Sequence, residues 1–175
     1  MASVEIDAFE FSRLGESRSG QMVVATSPRL VKECADASGN LNWTVSGGAH
    51  SSGYPELRMT VAGEVQLICQ RCLKAFEHVI DSSATLVLAR SDLQADQIEA
   101  AFDDALLDDE SLDVIVVVPA MDLVELVEDE VLLSIPQAPK HEQCPSDKTV
   151  VGKKADLELI AEKPSPFAAL KNLRH

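Results

Sequence analysis

The chain has 175 residues, 46% of them hydrophobic, and a formal net charge of −14. That length suits one domain with a real core, no apolar run approaches the roughly 20 residues needed to cross a bilayer, and so acidic a balance is poorly suited to gripping nucleic acid. Glu5 and Asp7 stand where a secretory leader needs basic residues before an apolar block, so the sequence predicts a cytoplasmic protein whose four cysteines are reduced thiols or metal ligands rather than disulfides.

From the N-terminus, Val4, Ile6, Phe9, Phe11 and Leu14 are apolar anchors of local order, and the polar stretch from Gly15 to Gly20 reads as a mobile loop. Gln21 to Ala25 predicts a short strand. Ser27 followed by Pro28 reads as an N-cap with proline at the first helical position, and Gly39 closes that helix, with Cys34 on its buried side as a small apolar filler. Leu41 to Val45 alternates apolar and polar residues and predicts a strand broken by Gly47 and Gly48. Leu57, Met59, Val61, Val65, Leu67 and Cys69 share one parity, so a second strand puts Cys69 on the core side, with Gly63 marking a bulge. Phe76 to Ile80 and Ala84 to Leu88 read as strand antiparallel to it, which makes the Cys69–Cys72 pair the turn of a hairpin.

From Ser91 to Asp113 the periodicity is weak and predicts a loop with a helical piece. Asp113 to Val118 is a continuous β-branched run, as expected of a strand covered on both faces. Met121 to Ile135 is the clearest helix, with Leu123, Val127 and Val131 as an apolar stripe and Asp122, Glu125, Glu128 and Asp129 on the outer face. A loop follows from Pro139, then a short element near Lys153 to Ile160 and a terminal helix opened by Pro164. The fold class predicted is α+β: a single domain over residues 1–163, with an antiparallel sheet, open or barrel-like, and an amphipathic helix at about residues 121–135 packed on it. Residues 164–175 form a tail.

The acids are unevenly placed. Between Ser91 and Pro139 there are fourteen and no Lys, Arg or His, which leaves fifteen acids against fifteen Lys and Arg elsewhere. Such a block repels phosphate and attracts basic partners, or serves as a solvated face that keeps the chain soluble.

Two half-sites bracket this block: Cys69-x-x-Cys72 and His141-x-x-Cys144. Three sulfurs and a nitrogen suit a closed tetrahedral zinc site, with reduced thiols as the other reading. A redox pair is a weaker third reading, because catalytic Cys-x-x-Cys pairs start a helix, whereas Cys69 ends a strand. No phosphate loop, nucleophile elbow or acid–base pair is evident, and the sequence predicts no enzyme and no catalytic residues.

Val65-x-Leu67-x-Cys69-Gln70-Arg71-Cys72-Leu73, the run Asp122 to Pro136, Pro139-x-His141-Glu142 and Pro166-Phe167-Ala168-Ala169-Leu170 together resemble the YceD family. They occur in the family's order, from about residue 57 to the C-terminus. The resemblance implies a part in synthesis, processing or stability of large-subunit (23S) ribosomal RNA, and no known enzymatic activity. Charge then refines that role. The expected partners are the large-subunit precursor and, within it, a basic ribosomal protein or an RNA-processing enzyme held through Asp122, Glu125, Glu128, Asp129 and the acids before them. The alternative is direct RNA contact through a face of the Trp43 and Val65 strands and the basic C-terminal end.

Overall fold

The computed structural model describes residues 3–104, 112–118 and 120–144. Two compact units divide the chain, Met1–Gln143 and Cys144–His175; the elements below belong to the first, and Cys144 is the described residue of the second. The elements predicted near Lys153 and after Pro164 lie outside the described residues.

A short strand β1 (Glu5–Ile6) leads into helix α1 (Ala8–Leu14). Asp7 caps this helix by accepting from the Glu10 N–H, and Gly15 ends it in the left-handed region at φ 62°, with its N–H and that of Glu16 returning to the Ser12 and Phe11 carbonyls. The chain does not then loop. It forms strand β2 (Ser17–Val23), a single 3₁₀ turn, and a short helix α2 (Leu30–Glu33), far less than the helix expected from Pro28 to Gly39. Three long strands follow: β3 (Gly39–Ala49), β4 (Pro55–Ile68) and β5 (Ala75–Ala89). Helix α3 (Asp92–Asp104) crosses over to β6 (Leu112–Val116), and strand β7 (Met121–Asp122) precedes helix α4 (Leu123–Ser134).

The main sheet has the order β2-β3-β4-β5-β6, antiparallel except for the final β5–β6 pair. It is an open sheet, not a barrel. A second, two-stranded sheet pairs β1 with β7, so Ile6 is held by a long-range contact, while Phe9, Phe11 and Leu14 belong to the locally capped α1. Alternation along β3, β4 and β5 turns Leu41, Trp43, Val45, Leu57, Met59, Val61, Val65, Leu67 and Leu86 to one face. Phe11 of α1 and Leu123, Val127 and Val131 of α4 complete that core, which bears out the predicted stripe. The opposite face of β5 turns Val87 and Ala89 toward Ala95, Ile98 and Phe102 of α3, forming a smaller second core.

Gly47, expected to break a strand, and Gly63, expected to mark a bulge, serve close packing instead. β3 runs through Gly47 because a Cβ there would lie 2.5 Å from the Phe11 carbonyl oxygen and 2.7 Å from the Ser12 Cα, so only glycine lets α1 seat on the strand. Gly63 is not a bulge, since the β3–β4 register continues unbroken through it; its missing side chain leaves room for the Asn40 carbonyl. The β-branched strand β6 is a sheet edge, with Val116 exposed, rather than the doubly covered strand its composition predicts. Gly47→Ala forces backbone against backbone and is expected to lower unfolding stability by about 2 kcal/mol, read by urea denaturation; an unchanged midpoint would show that α1 is not seated there.

Candidate metal centre and acidic face

The β4–β5 hairpin is closed by the turn that carries the thiols. The Cys69 N–H donates to the Lys74 carbonyl at 3.0 Å and the Leu73 N–H to the Cys69 carbonyl at 2.9 Å, while Leu73 adopts a left-handed φ of 59°. As its parity predicts, Cys69 is fully buried. The segment after α4 is pinned to this turn at two points: the Gln70 N–H donates to the Pro139 carbonyl at 2.8 Å, and Arg71 to the His141 carbonyl at 3.2 Å. His141 Nδ1 consequently sits 3.4 Å from Cys72 Sγ, and its ring packs on Phe76 with centroids 4.8 Å apart.

One ligand atom from each of Cys69, Cys72, His141 and Cys144 lies within 4.8 Å of the others. A closed tetrahedral site with metal–sulfur bonds of about 2.3 Å needs ligand atoms about 3.7 Å apart, so the group fits a metal after a small contraction. Electrostatics favours the same use. Burial pushes the Cys69 thiol upward, but N–H groups of His141, Cys72 and Arg71 together with the His141 side chain favour the thiolate and bring its pKa down to about 5. None of the cysteines is in a disulfide, and neither Cys69 nor Cys72 begins a helix. The halves of this constellation were readable as spacing; Phe76 and Arg71, which orient the second half, carry no sequence signal of that role.

The four acids of α4 have separate fates. Asp122 is the N-cap of α4, accepting from the Val124 N–H at 2.9 Å and the Val4 N–H at 3.1 Å. Glu128 does not face solvent; it is 5% exposed and accepts from the backbone N–H groups of Arg29 and Leu30 and from Arg29 Nε at 2.9 to 3.0 Å. Asp129 is exposed and pairs with the same guanidinium, which also donates to the Glu125 carbonyl. Glu125 is exposed on the outer surface. Helical spacing alone misplaced Glu128, because the stripe it borders is widened by α2 packing beside it. On α3, Asp92, Asp96 and Glu99 are exposed. Trp43 and Val65 both point into the core, leaving Asn42, Thr44 and Thr60 on the open face of their strands.

Residues 57–174 match the family model described as large ribosomal RNA subunit accumulation protein YceD. The chain belongs to this family. Among similar curated proteins, the large ribosomal RNA subunit accumulation protein YceD of Haemophilus influenzae is 29% identical over 128 residues, which covers 69% of this chain and 68% of that protein. No solved structure matches. The YceD match begins in β4 and takes in the hairpin, both thiol half-sites and α4. No helix among the described residues is long and apolar enough to cross a membrane.

Burial pushes the Glu128 carboxyl upward, yet the Leu30 and Arg29 N–H groups and the guanidinium outweigh it and hold its pKa below the ordinary 4.5; Asp122 is depressed in the same way by Val124 and Val4. A depressed carboxylate contributes stability that is fully present above its ordinary pKa and is lost as pH falls through the folded value. Urea midpoints should therefore drop between about pH 5 and about pH 3. Glu128→Gln should start about 2 kcal/mol lower and fall less over that range; equal acid sensitivity in both proteins would remove Glu128 from this role.

Proposed function

We propose that the protein is a non-enzymatic ribosome-biogenesis factor that supports accumulation of large-subunit ribosomal RNA by holding a basic ribosomal protein or an RNA-processing enzyme of the precursor subunit. Membership of the YceD family supports the RNA, and one observation carries the partner: the whole surplus of acid lies between Asp92 and Glu130, with Asp92, Asp96 and Glu99 of α3 and Glu125 and Asp129 of α4 exposed. Clustered carboxylates of one sign repel bare phosphate and draw in cationic surfaces. Within the α4 face, Asp122 and Glu128 hold the fold, so the contact falls to Glu125, to Asp129 and to the α3 strip.

Asp92→Lys, Asp96→Lys and Glu99→Lys combined with Glu125→Lys leave every hydrogen bond of α4 intact. This variant should lose a salt-sensitive co-sedimentation with precursor large subunits by about tenfold or more. Unchanged co-sedimentation would reject the acidic contact, and tight binding of the unaltered protein to bare ribosomal RNA would replace it with direct RNA recognition.

The Cys69, Cys72, His141 and Cys144 group is assigned, within the same proposal, to a structural zinc. Four protein ligands leave no open coordination position, so the ion's contribution is to staple the hairpin turn to the segment after α4. Protein purified without chelators should carry about one zinc per chain, and its removal, or Cys69→Ser, should lower Tm by about 10 °C. Metal-free protein with an unchanged Tm would sink the assignment, and a reversible disulfide at Cys69–Cys72 in metal-free native protein would favour redox chemistry.

A further inference from the structure

Strand β2 is the outer edge of the main sheet, and five of its seven residues are exposed. The Gly47 N–H donates to the Glu16 carbonyl at 2.8 Å, and the register places Ser17 opposite Ser46. In an antiparallel pair hydrogen-bonded and non-bonded positions alternate, so Arg18, Gly20 and Met22 bond to β3, whereas Ser17, Ser19, Gln21 and Val23 direct their backbone groups outward. Arg18 satisfies the Ser17 carbonyl, and the Thr26 and Ser27 hydroxyls satisfy that of Val23. Among the described residues nothing pairs with the backbone of Ser19 and Gln21, which leaves two donors and two acceptors in line.

Two cavities open beside these groups, on the face to which Arg18 and Gly20 turn. One, of about 260 Å³, is lined by Val4, Gly20, Trp43 and Val124 among others. The Trp43 indole lies across Gly20, where a Cβ would be 3.2 Å from Nε1; the side chain is 6% exposed and its N–H has no hydrogen-bond partner among the described residues. A buried indole N–H ordinarily finds an acceptor. The other cavity, of about 210 Å³, gathers Glu5, Asp7, Glu10 and Glu16 around Arg18, which also lines the first. Glu16 pairs with Arg18 and Glu10 with Arg13, both in exposed pairs that contribute little, and the four carboxylates exceed the two guanidinium groups.

We propose that β2 accepts an extended, basic peptide segment of the partner as a sixth strand. Its backbone would pair with Ser19 and Gln21, one Lys or Arg would enter the Glu5–Asp7–Glu10–Glu16 pit, and an Asn or Gln carbonyl on the same face would accept from Trp43 Nε1. Alternate side chains of a strand lie on one face about 6.6 Å apart, which suits two adjoining cavities. This inference rests on the reading of a basic partner but uses the β2 edge and carboxylates that precede residue 57, with Val124 of α4 lining one cavity wall.

Trp43 is the sole tryptophan, so its fluorescence reports directly on the slot. The probe is a short synthetic peptide that alternates Lys and Thr with one central Asn, titrated into the full chain, with a control peptide of the same sequence N-methylated at alternate residues. The first should shift Trp43 emission and slow amide exchange at Ser19 and Gln21; the methylated peptide and Ser19→Pro, which removes an N–H that β3 does not use, should each weaken binding about tenfold. Glu5→Lys with Glu10→Lys should do the same without touching β2. Equal affinity for the two peptides, an unmoved Trp43 signal or no binding would overturn strand addition. If Ser19→Pro keeps precursor co-sedimentation that the α3 and α4 reversals abolish, this surface fails and the acidic-face reading stands; if both keep it, both fail.

Discussion

The rest of the structure depends on an unbroken register along β3, β4 and β5. Gly39 to Ala49 pairs with Val65 to Pro55, and Glu56 to Ile68 pairs with Val87 to Ala75, without a bulge in either ladder. Because side chains alternate strictly, a slip of one residue would turn Leu57, Met59, Val61, Val65 and Leu67 out to solvent and Arg58, Thr60 and Glu64 into the core. The turn at Cys69 to Lys74 ends the β4–β5 ladder, so the buried position of Cys69 follows from the same parity that builds the core. The candidate metal centre is thus an extension of the register: its first half is positioned by the hairpin, and its second is brought in by hydrogen bonds from Gln70 and Arg71.

Within the N-terminal part of the chain, α1 and β2 lie against β3, while β1 and α2 are tied to α4 and the strand before it. Asp122 accepts from Val4, the Leu123 N–H donates to the Val4 carbonyl, and β1 pairs with β7. Glu128 grips the start of α2 through two backbone N–H groups and the Arg29 side chain. A buried carboxylate is tolerable only when its oxygens are satisfied, and here three N–H donors meet it. Half of the acids that mark the outer strip of α4 in sequence are therefore structural. The charge left for a partner is carried by residues that make few internal bonds.

The edge strand β2 has a different character. Its inward residues are committed to the sheet and its ends are closed by Arg18, Thr26 and Ser27, yet its centre keeps open backbone groups next to a buried indole N–H and a pit of carboxylates. Exposed edges invite pairing, and proteins usually blunt them with charge, proline or cover. In β2 only Arg18 is charged, and its side chain folds back to Glu16, the Ser17 carbonyl and the Phe11 ring.

What the sequence by itself determined is the part governed by local period and by ligand chemistry. Two-residue alternation announced β4, the hairpin and the burial of Cys69; the Leu123–Val127–Val131 stripe announced α4; the Cys-x-x-Cys and His-x-x-Cys spacings announced a possible ligand set, and the motifs from Val65 onward announced the family. Tertiary structure decided what depends on approach across long separations. Gly47 looked like a breaker and Gly63 like a bulge because a missing side chain has no direction in sequence, while their real partners, Phe11 and Asn40, belong to other elements. Gly15 to Gly20 looked like a loop because an edge strand needs no apolar alternation where one face stays wet. Glu128 looked exposed because helical period places a residue on a face but cannot say that Arg29, 99 positions earlier, will cover it. The two thiol half-sites were visible from the start; their meeting required the turn, the Pro139 carbonyl and the His141 ring to converge.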